Sequence, residues 1–160
     1  MADKREHLSP SGKYRLIISL TVSHKGYWQF SIAHVEHVET DEIRAVVHRN
    51  YPSFPFCWVE DHPDGHDYLV CGEDYQGQTI IQLDTGLRKD YLPPSATRAG
   101  ACFCWIDIEF EQSPLALRVE GCYWAFPYEM VRYDFSDPFS LPYAEIDRWT
   151  EDEEDEWEDE

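Results

Sequence analysis

Apolar and polar positions alternate along much of this chain. Tyr14, Leu16, Ile18, Leu20 and Val22 are interleaved with Arg15, Ser19, Thr21 and Ser23. Cys102, Cys104, Ile106, Ile108 and Phe110 alternate with Asp107, Glu109 and Glu111. Trp28, Phe30 and Ile32 share a third such face. A period of two is the signature of half-buried strands. Ten prolines and eight glycines interrupt the chain, too often for long helices. One stretch, Asp41–His48, reads either as a short helix or as the product of a hairpin turn at Glu39–Glu42. The pattern predicts an all-β protein of antiparallel sheets.

The strands recur as a degenerate repeat. Phe56-Cys57-Trp58 returns as Phe103-Cys104-Trp105, 47 residues later. Leu69-Val70-Cys71-Gly72 answers Leu117-Arg118-Val119-Glu120-Gly121, and Ile80-Ile81-Gln82-Leu83-Asp84 answers Met130-Val131-Arg132-Tyr133-Asp134. Tyr91-Leu92-Pro93 is matched to Ser140-Leu141-Pro142. A third copy lies upstream: Ser9-Pro10-Ser11-Gly12 precedes Leu16-Ile17-Ile18 as His62-Pro63-Asp64-Gly65 precedes Leu69-Val70 and Ser113-Pro114 precedes Leu115. A tight turn feeding a buried strand explains the order. Asp84-Thr85-Gly86 supplies a second turn between outer strands.

This order, from Ser9 to Pro142, resembles blades of WD40-like and TolB-like β-propellers. The resemblance implies four-stranded antiparallel units. Three units are fewer than the four to eight blades of a closed propeller. The expected architecture is therefore a small sandwich or partial barrel, with ring completion by oligomerisation as the alternative. The expected organisation is a flexible N-terminus over 1–8, a β repeat domain over 9–146, and a disordered acidic tail over 147–160.

Charge narrows the range of partners. Thirty-two acidic residues against 13 basic ones give a net charge of −19. Nine of the acids lie in the last ten residues, leaving 23 against 13, a net of −10, for residues 1–150. Direct binding to nucleic acid or anionic membrane relies on Lys and Arg clusters, so neither is expected. A basic protein or peptide is the expected partner. No run of 18 apolar residues predicts a transmembrane helix. The opening residues, Met-Ala-Asp-Lys-Arg-Glu-His, carry no apolar core of a secretory signal. Five cysteines, an odd number without a small-domain disulfide spacing, point to a reducing, cytoplasmic setting.

Candidate chemistry is sparse. All seven histidines lie at or before position 66 and all five cysteines at or after 57, against a mixed local metal cluster. His34-Val35-Glu36 supplies half of a zinc-deaminase signature, but the Pro-Cys-x-x-Cys half is missing. His34 instead falls on the parity of Phe30 and Ile32, at a core margin. His62, Asp64 and His66 share one turn and form a weak candidate metal or acid–base site; Pro-Asp-Gly geometry accounts for that turn without one. Cys102 and Cys104 read as small core hydrophobes, whereas Cys71 and Cys122 flank the repeat glycines and merit a reactivity test. Gly-x-Ser-x-Gly, Walker A and His-Glu-x-x-His motifs are absent. No catalytic residue, cofactor or enzymatic activity is expected.

The aromatics are more informative. Gly121 to Tyr128 holds four rings in eight residues. Parity places Phe103 and Trp105 beside Asp107, Glu109 and Glu111, an aromatic–acidic face able to receive Lys or Arg by cation–π contact. Tyr123, Trp124 and Tyr128 extend it, and Trp157 gives the acidic tail an apolar anchor. The leading expectation is a non-enzymatic module that docks a basic protein through this face and tail. Alternatives are an acidic mimic that occupies a nucleic-acid-binding site, and a metal-assisted hydrolase using His62, Asp64 and His66.

Overall fold

The structure is a computed structural model that describes residues 3–22, 28–72, 77–94, 103–123 and 127–150. Twelve strands in these residues form three four-stranded sheets, each a meander in chain order. The first contains β1 (Lys4–Leu8), β2 (Tyr14–Val22), β3 (Gln29–His37) and β4 (Ile43–Arg49). The second contains β5 (Phe56–Val59), β6 (Tyr68–Gly72), β7 (Gln78–Gln82) and β8 (Arg88–Tyr91). The third contains β9 (Cys104–Glu111), β10 (Ala116–Cys122), β11 (Glu129–Asp134) and β12 (Glu145–Thr150). Connections this short join neighbours only antiparallel. The all-β expectation holds, and the repeats coincide with the strands. The two Phe-Cys-Trp copies open β5 and β9; Leu69 and Leu117 fall in β6 and β10; Ile80 and Val131 fall in β7 and β11. The three proline turns each lead into the second strand of a sheet. The fourth match does not correspond: Tyr91 ends β8, whereas Ser140–Pro142 precede β12.

Two compact units divide the chain. The first takes Met1–Phe54, Trp58–Val70 and Ile80–Lys89; the second takes Pro55–Cys57, Cys71–Thr79 and Asp90–Glu160. In the first unit, Leu16 pairs with Val35 and Ile18 with Ala33, while Ala33 pairs with Val47. Directly opposed residues share a face, and these five side chains are all buried. The register therefore corrects one expectation. The inward face of β3 is Ser31, Ala33 and Val35, not the parity of Trp28, Phe30 and Ile32; Trp28 is 60% exposed. The segment 41–48 contains no helix: a turn ends near Thr40 and β4 follows, in favour of the hairpin reading.

Every residue of β6 and β7 is buried, so burial does not alternate along either strand, although β7 carries the polar residues Gln78, Thr79 and Gln82. In the second unit the core is built from Ile108, Leu117, Val119, Val131, Tyr133, Phe135 and Tyr143. Lys4–Leu8 pairs with β2, and Asp147–Thr150 belongs to β12. Residues 151–160 lie outside the described residues, as do Cys102, Trp124 and Trp157. Among the described residues no helix is long and apolar enough to cross a membrane.

Candidate functional site

The site begins with an irregularity in β9. Glu120 pairs with Asp107, but Gly121 pairs with Trp105, so Ile106 is an extra residue without an opposite number. Such a bulge inverts the alternation beyond it. Ile106 is turned out at 44% exposure, whereas Trp105 is turned in at 8%. This corrects the expected aromatic–acidic face. Trp105 joins the face of Ile108, Leu117 and Val119, while Asp107, Glu109 and Glu111 remain on the opposite one. Gly121 makes the bulge possible. A Cβ there would sit 2.5 Å from the Cys104 carbonyl oxygen and 2.5 Å from the Phe103 ring. A second shift occurs where Arg132 pairs with Asp147 but Tyr133 pairs with Glu145, leaving Ile146 exposed.

The inward face of this unit carries a cavity of about 270 Å³. Its aromatic lining is Tyr91, Phe103, Trp105, Tyr123, Tyr133 and Tyr143, with Gln78, Glu145 and Arg148 as the polar side chains. Trp105 and Tyr133 stack with centroids 5.3 Å apart and planes tilted by 31°. Burial pushes the Tyr133 phenol up to about 12. The Tyr143 hydroxyl donates to the Pro138 carbonyl at 2.5 Å. Phe103 and Tyr123 lie 5.2 Å apart, and the Arg148 guanidinium sits over both, at 4.8 and 5.6 Å. Arg148 donates to Glu129 at 2.8 Å and to Glu145 at 2.5 Å. Partial burial works against its charge, but the two carboxylates overcome this and raise its pKa. Gly77 closes one wall. Its φ of +90° and a hypothetical Cβ 2.1 Å from the Tyr91 carbonyl oxygen admit no other residue without movement.

Three of the sequence-derived site residues, Phe103, Trp105 and Tyr123, therefore meet in one cavity. Tyr128 is 37% exposed just before β11 and is not part of the lining. Asp107 and Glu109 lie on the other face of the sheet, where Glu109 pairs with Arg118. That face has its own aromatic, Trp149, with Arg118 and Arg132 at 5.6 and 5.0 Å from its ring centroid. Arg132 also donates to Glu111 and to Asp147, both at 2.7 Å. Tyr133, Tyr143, Arg148 and Gln78 were not singled out from sequence. Of the signals present, Gly121 inside the alternating strand β10 is the one that marks a bulge.

The histidine turn belongs to the first unit and is a structural knot. His62 is 3% exposed, and its Nδ1 lies 3.2 Å from the Asp64 amide and 3.0 Å from Asp64 Oδ1. Asp64 accepts from the Tyr68 hydroxyl at 2.6 Å and the His66 amide at 3.0 Å. His66 turns instead to Asp84, at 2.6 Å. His62 and Asp64 thus pair with each other, while His66 is held by Asp84. Among the described residues no three His, Cys, Asp or Glu side chains converge as metal ligands. Cys71 and Cys122, the thiols chosen for a reactivity test, are buried.

Comparison with known proteins adds one relative. The chain is similar to an uncharacterized protein, R762, of Acanthamoeba polyphaga mimivirus. The two are 33% identical over 147 residues, which cover 89% of this chain and 57% of that protein. The chain thus spans just over half the length of the relative it matches. No family model matches the chain, and no solved structure matches it.

Proposed function

We propose that this protein is a non-catalytic recognition module, built of blades of the WD40-like and TolB-like kind, that binds a basic segment of another protein through its second unit. The carrying observation is the cavity lined by Phe103, Trp105, Tyr123, Tyr133 and Tyr143. Tyr and Trp in concave, largely desolvated positions supply much of the energy of protein contacts. Charge gives the class of partner. Residues 103–150 contain nine acidic residues against three basic ones, all arginine, and complementary charge steers and selects a partner. The acidic segment 151–160 adds long-range attraction, which salt screens. A reducing, cytoplasmic setting suits the described cysteines, none of which is in a disulfide.

A nucleic-acid mimic would need a bare row of carboxylates. Glu111, Asp147, Glu129 and Glu145 are instead tied to Arg132 and Arg148, which favours recognition of a partner over mimicry. The test is fluorescence anisotropy with labelled basic, neutral and acidic peptides of equal length at two salt concentrations. The proposal expects binding of the basic peptides alone, weakening as salt rises. Equal binding of all three classes overturns it.

A further inference from the structure

We infer that the aromatic cavity of the second unit receives an arginine side chain of the partner. This rests on the basic-partner reading and assigns that reading a specific pocket.

Gln78 is the observation that asks for a ligand. It sits in β7, is 8% exposed and lines the cavity. Its side-chain carboxamide makes no hydrogen bond to any described residue, unlike its neighbour Thr79, which donates to Asp90 at 2.6 Å. Among the described residues the fully buried side-chain polar atoms without a hydrogen-bond partner are Ser31 Oγ, His37 Nδ1, Arg44 Nε and Arg118 Nε, not those of Gln78, so its carboxamide is open to the cavity. A carboxamide held at a cavity wall without a partner has its oxygen ready for a donor brought from outside.

The surroundings choose the donor. An anion would meet nine acidic residues among the 48 of segment 103–150, whose three arginines are already engaged. A cation is complementary. Six aromatic side chains line the cavity, and among the described residues no cation lies over Trp105 or Tyr133. Glu145, exposed in the lining, gives one carboxylate oxygen to Arg148. Its second oxygen is open to another donor.

Among cations, guanidinium fits better than ammonium. It is planar, weakly hydrated and stacks on rings, and it carries five donors in a fixed fork. It can lie against Trp105 and Tyr133 while donating to the Gln78 oxygen. An ammonium is a compact, strongly hydrated point charge that gives up more hydration on entry. The protein already displays this mode with its own side chain: Arg148 lies on Phe103 and Tyr123 between two carboxylates.

The test uses the full chain and two labelled peptides of equal length and net charge, one with arginine and one with lysine at every basic position. Wild type is expected to bind the arginine peptide about tenfold more tightly, the scale of one desolvated cation–π contact with its hydrogen bond. Gln78→Leu removes the acceptor and is expected to bring the arginine-to-lysine ratio to near one. Gln78→Glu keeps an acceptor and is expected to preserve the preference. Equal affinities in wild type, or an unchanged ratio in Gln78→Leu, overturn the arginine pocket while leaving the basic-partner reading standing. Failure of both peptides to bind overturns both.

Discussion

Gly121→Ala puts the bulge in β9 to a direct test. A methyl group at this position would start 2.5 Å from the Cys104 carbonyl oxygen and 2.5 Å from Cζ of Phe103. The phenyl ring can swing away, but the carbonyl belongs to the neighbouring strand. An ordinary contact therefore requires β9 to retreat by about 1 Å, and overpacking of this kind costs about 1–3 kcal/mol. For a chain of this size each kcal/mol lowers Tm by about 2–4 °C, so a loss of about 2–12 °C is expected by calorimetry. The near-UV circular dichroism should fall as well, because retreat of β9 separates Trp105 from Tyr133. Gly12→Ala is the control. Its φ is +77° with nothing within 4 Å of a new Cβ, so it strains the backbone alone, by about 1–2 kcal/mol, and spares the near-UV signal. A Gly121→Ala protein with wild-type Tm and near-UV spectrum would refute the bulge as the device that turns Trp105 inward.

Gln78→Leu should lower affinity for the arginine peptide while leaving Tm close to that of wild type, since the carboxamide makes no hydrogen bond to any described residue; a large loss of stability in a thermal melt would contradict this. The His66–Asp84 pair makes stability depend on pH. The hydrogen bond to Asp84 raises the His66 pKa above its ordinary 6.5, so its contribution is complete below 6.5 and is lost as pH rises through the raised value. For Asp84, partial burial opposes ionisation, but bonds from His66 and the Asp67 amide hold its pKa low, so its contribution fades only as pH falls through that depressed value. Asp84→Asn should return the His66 NMR titration midpoint toward 6.5, and an unmoved midpoint would exclude the pairing. Burial pushes the Cys57 thiol up to about 12, so iodoacetamide at pH 8 should modify it far more slowly in the native protein than in guanidinium. Equal rates would show the thiol to be accessible.

The fold was legible because its signals are local. Period two, proline turns and the Phe-Cys-Trp copies each occupy fewer than ten residues, and each marks one strand or one turn. The site was only partly legible because it depends on register. A one-residue bulge at Ile106 leaves the alternation of β9 looking continuous, yet it sends Trp105 to the opposite face from Asp107 and Glu109. Tyr133, Tyr143 and Arg148 reach Trp105 across strands that no short-range pattern connects. Gln78 is hidden in a strand with five consecutive buried residues, where alternation carries no information about sides. The histidine turn failed in the converse way. Its ligand-like spacing is real, but Tyr68 and Asp84 divert Asp64 and His66 to structural bonds.

The claim that the cavity of the second unit recognises an arginine of a basic partner is tested most directly by two-dimensional NMR during titration with the arginine peptide. The account predicts saturable shifts at the Trp105 indole N–H and the Gln78 side-chain amide, with the Trp28 indole unmoved. Shifts confined to residues outside the cavity would contradict it.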